Sequence, residues 1–325
     1  MLDQFLKAIA RCDGFFFIFA DVFYNRFDMK RFIIFGILFS FFFMLLSSCM
    51  NKKSDNDTSE RITKEPIKED DSGIISSGSA NLDYPSTAHV IKDAVTDIDG
   101  NHYDAVQIGD QIWMAENLRT TRYSDGISIE MDTFYNYDYP YRYAPGQNQN
   151  NRDNMDNVAS YGYLYNWPAV MHETKSSDDI PSGVQGICPD GWHVPSKSEF
   201  SQLIEYMNAQ PMYIANGTEN GKSKALAAQW GWNNSNKNGS PGNNPKANNA
   251  TGFSALPAGA FSQGNNYYFG DNVYLWCATD FSDDIYLKHK YPKKAFNFGF
   301  NRQGSTVILI DNDKDLGFSV RCVRD

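Results

Sequence analysis

The sequence predicts an α+β domain that follows a long polar segment. Apolar residues recur three and four positions apart from Phe200 to Met207, the spacing of one face of a helix. Short apolar–polar alternations bounded by turn residues, such as 95–109, are typical of antiparallel strands. Residues 49–90 are instead rich in charge, Ser and Gly, and carry too little apolar surface to offset the entropy of ordering. We therefore expect a disordered tether joined to a folded domain over residues 91–325.

Composition excludes several classes of protein. The 325 residues are 42% hydrophobic with a mean hydropathy of -0.50, which suits one or two globular domains and not a polytopic membrane protein. The net charge is -10, and no basic stripe runs through the chain. Because nucleic-acid binding depends on neutralising phosphates, we expect no nucleic-acid partner.

The N-terminal part has the pattern of an export signal. Residues 29–48 combine a basic start, an apolar run from Phe32 to Leu46 and a small-residue site, which is typical of a secretory signal peptide. The final Leu-Ser-Ser-Cys resembles a bacterial lipobox, so Cys49 is predicted to be lipidated. The alternative is an uncleaved single-pass anchor, but nothing apolar extends past Cys49.

Residues 1–28 lie upstream of that complete signal and are interpreted as a start assigned too early, with translation from Met29. The prediction is a protein anchored by its lipid in the cell envelope, at the outer membrane, on either its surface or its periplasmic face. The polar tether would act as a flexible spacer between membrane and domain.

The start of the domain reads as a β-hairpin. Asp99-Gly100 is a pair that adopts positive φ in a tight turn, between alternating apolar residues. Two acidic segments suggest calcium, at Asp97-x-Asp99 and at 311–315. The first lacks the Gly and Glu of an EF-hand loop and the second has no downstream Glu, so we predict solvated turns and no metal or other cofactor.

One helix is predicted with its boundary. Ser196 and Glu199 have the spacing of a capping box at the start of the run that contains Phe200. A second, shorter helix is expected over 222–230, followed by a polar loop. The remaining strands are predicted at 273–279, 296–300, 307–310 and 317–323.

Five tyrosines alternate with other residues between Phe134 and Tyr143. They are Tyr135, Tyr137, Tyr139, Tyr141 and Tyr143. On an extended chain they would share one face, which could stack against sugar rings or a protein partner. The alternative, which we favour, is a tyrosine-rich loop packed on the domain, because Pro140 and Pro145 weaken a regular strand.

No catalytic constellation is found in the sequence. The five histidines form no H-E-x-x-H pair, and the five cysteines form no C-x-x-C. His193, inside a turn motif, is interpreted as a structural hydrogen-bonding residue. We therefore expect no enzymatic activity.

Several motifs follow one another along about residues 95–325. In chain order they are Asp99-Gly100-Asn101-x-Tyr103 with Val106-Gln107-Ile108-Gly109, Trp113-Met114-Ala115-Glu116-Asn117-Leu118, Tyr161-Gly162-x-Leu164-Tyr165-Asn166-Trp167, Cys188-Pro189-x-Gly191-Trp192-His193-Val194-Pro195, Gly252-Phe253-Ser254-Ala255-Leu256-Pro257-Ala258-Gly259 and Gly317-Phe318-Ser319-Val320-Arg321-Cys322-Val323. Together they resemble one family, the Fibrobacter succinogenes major paralogous domain, which occurs in secreted and surface proteins of Bacteroidetes. The resemblance implies a C-type-lectin-like fold, akin to formylglycine-generating enzymes.

The resemblance also bears on the cysteines. Cys188 and Cys322 lie in family-like motifs, and export would place them in an oxidising compartment, so we predict that they form a disulfide. Cys277 stands where the family leads us to expect a small hydroxyl residue, and is predicted to be a buried, inert thiol.

Three functions follow from the resemblance. The first is a non-catalytic surface module that binds a glycan or a protein partner. The second is an oxidase of the formylglycine-generating kind, with Cys277 and Cys322 holding copper, although the close C-terminal cysteine pair of those enzymes is absent. The third is a purely structural envelope protein.

Overall fold

The computed structural model describes the greater part of the C-terminal domain. The signal peptide, Cys49, residues 1–28 and almost all of the tether lie outside the described residues, as do Tyr135 and Tyr137. Within the described part, no helix combines the length and apolar character needed to span a bilayer. The described ranges are 88–131, 138–148, 150–151, 155–210 and 221–325.

Strands outnumber helices in the described chain, as an α+β domain with a strand-rich half requires. In chain order the strands are β1 His89–Thr96, β2 His102–Ile108, β3 Gln111–Met114, β4 Glu130–Met131, β5 Tyr141–Tyr143, β6 Leu164–Tyr165, β7 Trp192–His193, β8 Ala260–Ser262, β9 Asn265–Tyr267, β10 Asn272–Asp280, β11 Lys294–Asn301, β12 Ile308–Asp313 and β13 Val323–Arg324. The helices are α1 Val158–Tyr161, α2 Trp167–Met171, α3 Lys197–Ala209, α4 Lys222–Leu226 and α5 Leu287–Lys290, with a 3-10 turn at Pro245–Ala247.

Two sheets form most of the frame. The larger is antiparallel with the order β1-β2-β3-β13-β7, so the C-terminal strand lies in its interior. The other is the antiparallel meander β10-β11-β12. Helix α3 packs between them: the Phe200 ring lies 4.9 Å from Trp113 of the first sheet and 4.7 Å from Phe298 of the second.

The predicted hairpin is present as β1 and β2. The Asp97 carboxylate organises its turn by accepting the backbone N–H groups of Asp99, at 3.0 Å, and Asn101, at 2.9 Å. It also accepts the Tyr103 hydroxyl at 2.6 Å, while Gly100 has φ of 80°. Strand β1 begins at His89, two residues inside the segment that the sequence assigned to the tether.

The capped helix is confirmed. Ser196 Oγ accepts the Glu199 N–H at 3.0 Å, and Glu199 Oε2 accepts the Ser196 N–H at 2.9 Å. Both orphan donors at the helix start are thereby satisfied. The apolar face made by Phe200, Leu203 and Met207 is buried, as its spacing predicted.

Two element boundaries were predicted wrongly. Helix α4 ends at Leu226 and not at 230, because Ala227 turns to an extended conformation and forms a parallel bridge with Ala255. The region 311–313, predicted as part of a turn, continues strand β12. Residues 311–313 are extended because they pair with β11. The turn preference of these residues could not predict this, because it does not depend on a distant strand.

The final strand is also shorter than predicted. Of residues 317–323, only Val323 belongs to a regular strand, and Gly317 to Ser319 contribute isolated bridges to separate parts of the domain. The disulfide Cys188–Cys322 is confirmed, with its Cα atoms 6.0 Å apart across 134 positions. Cys277 is buried and unpaired, and burial raises the pKa of its thiol well above the usual value.

Candidate functional site

The resemblance motifs converge on one buried arginine. Arg321 is fully buried and donates from Nε to Asn117 Oδ1 at 2.8 Å and from Nη2 to the Ser254 carbonyl at 2.7 Å. Its guanidinium lies 4.6 Å from the Phe253 ring centre and also donates to the Phe253 carbonyl. Asn117 Nδ2 in turn donates to the Tyr161 carbonyl at 2.8 Å. These motifs therefore form part of the scaffold, because their polar groups hydrogen-bond to one another.

His193 is a second buried polar centre. Its Nε2 lies 2.7 Å from Glu199 Oε1 and its Nδ1 lies 2.7 Å from Asp325 Oδ1. Burial opposes the charged ring, but the two carboxylates outweigh it and raise the pKa of His193. Nearby Ser182 Oγ donates to the Val194 carbonyl. The contacts join α3 to the C-terminal strand, in agreement with the structural role predicted for His193.

The described residues form an open cleft of about 710 Å³. Its walls come from the loop 123–127, from the end of α2 through Thr174, and from Pro292, Lys293 and Lys314. Asp138 and Pro140 close one side. We call it the His172 cleft, and its volume lies in the range of pockets that hold small ligands.

The histidine that gives the cleft its name is held over Tyr123. Helix α2 starts at the Asn166 cap and ends at His172, whose φ of 45° is left-handed. The His172 ring stacks on Tyr123 with centres 3.7 Å apart, and its Nε2 lies 3.0 Å from Asp125 Oδ2. The Ile127 amide, which donates to Asp125, and His172 together lower the pKa of that exposed carboxyl.

Tyr123 itself is the unusual member of the cleft. It is 2% exposed, and among the described residues its hydroxyl has no hydrogen-bond partner. Burial, followed by the charges of Asp125 and Glu173, raises the pKa of this hydroxyl. Both carboxylates belong to residues that line the same cleft. A buried polar group without a partner is costly, and a ligand could supply the missing hydrogen bond.

The opposite wall is rigid. Lys314 Nζ lies 4.2 Å from the Trp167 ring centre and 2.6 Å from Asp280 Oδ2. The Trp167 ring is held by a hydrogen bond, since its Nε1 donates to the Cys277 carbonyl at 3.0 Å. The Lys314 charge is therefore already neutralised by the protein.

The predicted tyrosine face is only partly realised. Tyr139 is 63% exposed, Tyr141 is half-buried, and Tyr143 is fully buried with its ring stacked 4.1 Å from Phe261. Tyr143 therefore faces the core and cannot contact a ligand. Asn166 holds the segment against the domain by accepting the Tyr141 N–H at 2.9 Å, which fits the packed loop that we favoured.

The segment nevertheless borders the cleft through Asp138 and Pro140. Sequence reasoning pointed to this segment but missed the other walls, which come from residues far apart in the chain. The one available sequence signal was the Asn166-Trp167-Pro168 start of α2, which places a helix end at His172.

The alternative copper pair, Cys277 with Cys322, is not a pair of free thiols in this structure. Cys322 is bonded to Cys188, and Cys277 is a separate buried thiol. In the described chain no three His, Cys, Asp or Glu side chains are grouped so that they could hold a metal ion. At the Asp97–Asp99 turn the carboxylates are engaged by protein donors, including Tyr103 and Arg122.

Comparison with known proteins identifies the family. A search of curated proteins and a search of solved structures gave no significant match. The family model described as the Fibrobacter succinogenes major domain matches residues 106–324, about two thirds of the chain. That range contains most of the motifs that converge on Arg321. The chain therefore belongs to the Fibrobacter succinogenes major domain family.

Proposed function

We propose that the chain is a lipid-anchored protein of the cell envelope whose C-terminal domain is a non-catalytic, C-type-lectin-like binding module. Its ligand is a glycan or a protein partner, of which a glycan suits the His172 cleft better. The observation that carries the proposal is the buried Tyr123 hydroxyl in the wall of this cleft, which has no hydrogen-bond partner among the described residues.

The chemistry of the cleft supports a glycan. Sugars present several hydroxyl donors, and the exposed carboxylates of Asp125, Asp138 and Glu173 offer acceptors along the rim. The adjacent ring of His172 is partly exposed and offers an apolar face for a sugar ring. A cleft of this size encloses a short oligosaccharide, whereas a stable protein interface buries about 800 Å² on each partner.

The envelope location rests on the N-terminal residues. The signal-like segment 29–48 ends at Cys49 in a lipobox-like site, and the polar tether up to residue 90 gives the domain reach from the membrane. Attachment at the outer membrane would expose the cleft to envelope or extracellular glycans.

The test is a glycan screen with two tyrosine variants of the full-length chain. Tyr123→Phe removes the unpartnered hydroxyl, and Tyr286→Phe makes the same change at an 86% exposed residue outside the cleft. We expect wild type and Tyr286→Phe to bind the same glycan, and Tyr123→Phe to bind it roughly tenfold more weakly. Equal binding by all three proteins would show that the glycan does not bind in the His172 cleft. If no glycan bound, the result would favour a purely structural role.

A further inference from the structure

The His172 cleft is acidic where Tyr123 lies. Asp125, Glu173 and Asp138 line the cleft together with Tyr123, and the charges of Asp125 and Glu173 contribute to the raised pKa of the Tyr123 hydroxyl. All three carboxylates belong to exposed residues. The basic residues of the cleft are His172, whose Nε2 lies 3.0 Å from Asp125 Oδ2, and the lysines Lys293 and Lys314.

The lysines do not cancel the acidic end. Lys314 Nζ lies 2.6 Å from Asp280 Oδ2 and contacts the face of the Trp167 ring. The charge of Lys314 is therefore balanced by Asp280. Lys293 belongs to the wall formed by Pro292 and Lys314. The lining contains the three carboxylates of Asp125, Asp138 and Glu173 against the two lysines, and the whole chain has a net charge of -10.

Lys314 also illustrates how this cleft accommodates an ammonium group. Its Nζ is held between an aromatic face and a carboxylate oxygen, Trp167 and Asp280 Oδ2. The Tyr123 end offers the same two kinds of group, with Tyr123 and His172 as rings and Asp125 and Glu173 as carboxylates. In addition it offers a hydroxyl oxygen that lacks a partner among the described residues.

We infer that the His172 cleft recognises an amino sugar, whose ammonium group lies between Asp125 and Glu173 and satisfies the Tyr123 hydroxyl. The inference rests on the proposed glycan-binding function and names its ligand class. The ammonium group competes with His172 for the Asp125 carboxylate. The neighbouring sugar hydroxyls reach the rim at Asp138.

A matched pair of ligands tests this assignment. Chitosan oligosaccharides carry free amino groups, and chitin oligosaccharides of the same length carry neutral acetamides, so their comparison isolates the ammonium charge. Binding of each to the full-length chain is measured by calorimetry at mildly acidic pH, where the amine is protonated. The variants are Glu173→Gln, which removes one carboxylate of the cleft, and Asp283→Asn, which removes an exposed carboxylate outside it.

We expect the chitosan oligosaccharide to bind at least roughly tenfold more tightly than the chitin oligosaccharide. Glu173→Gln should lose most of that difference, and Asp283→Asn should retain it. Equal or tighter binding of the acetylated sugar would overturn the amino-sugar inference and leave the glycan-binding function standing. Binding of a lysine-rich peptide with neither sugar would also overturn it and favour a protein partner. If no glycan bound in any screen, the proposed function would fail with it.

Discussion

Arg321 shows how single residues hold this domain together. It is fully buried, yet its guanidinium reaches Asn117, the carbonyls of Phe253 and Ser254, and the Phe253 ring. The partners lie 67 to 204 positions away in the chain. Removal of one member leaves the others buried without a partner, which costs more than the hydrogen bonds contribute.

Replacement of this arginine should therefore be severe. We expect Arg321→Met to lower the free energy of unfolding by about 3–5 kcal/mol, since its carbonyl and amide acceptors lose their donor. Urea denaturation measures the change. Arg324→Met, at an exposed neighbouring position, is the matched control and should have little effect. A loss at Arg321 no larger than at Arg324 would show that the network is not a stabilising centre.

His193 makes stability depend on pH. Its ring bonds to Glu199 and Asp325, and its pKa in the folded state is raised above the usual value of about 6.5. The folded state therefore holds the proton more tightly than the unfolded state. This contribution is fully present below the unfolded pKa and is lost as pH rises through the raised folded pKa.

The expected result is a free energy of unfolding that falls as the pH rises from about 6.5 into that window. His193→Gln should abolish this part of the pH dependence, whereas His289→Gln, at an exposed histidine, should preserve it. Urea unfolding at a series of pH values gives the comparison. If the free energy of unfolding changed with pH in the same way for wild type and His193→Gln, His193 would not be the source of this pH dependence.

At the scale of elements, the sequence predicted a helix boundary when the residues that set it are close together in the chain. It did not predict a boundary that is set by a distant segment. The α3 boundary was predictable because Ser196 and Glu199, three positions apart, satisfy each other. The end of α4 was not, because it is set by the bridge from Ala227 to Ala255, which is invisible to helix propensity. The His172 cleft was missed for the same reason, since its walls are assembled from five separate segments.

The α3 cap gives a direct test at this scale. We expect Ser196→Ala to lower the free energy of unfolding by about 1 kcal/mol, because the Glu199 amide loses its acceptor. Ser201→Ala, inside the helix, removes a hydroxyl that donates only to the Lys197 carbonyl and should change stability much less. The two variants are compared by urea denaturation. Equal effects would mean that the hydroxyl of Ser196 does not act as a cap.

At the scale of the whole molecule, we propose that a lipid anchor tethers the domain with the His172 cleft to a membrane. The anchor can be tested without the ligand. We predict that Cys49→Ser abolishes incorporation of labelled fatty acid and moves the protein out of the membrane fraction, because the acylated residue is lost. Cys277→Ser, at a cysteine far along the chain from the lipobox-like site, is the control and should leave both readouts unchanged. Labelled fatty acid retained by the Cys49 variant would contradict a lipobox at this position.

The central claim is that the family motifs form a disulfide-pinned scaffold for binding and not a two-cysteine redox centre. Disulfide mapping by mass spectrometry, with alkylation of free thiols before and after denaturation, tests it most directly. The account predicts a linked Cys188–Cys322 peptide and a Cys277 thiol that reacts only after unfolding. Cys277 and Cys322 both reactive in the native protein, and protected together by copper, would contradict it.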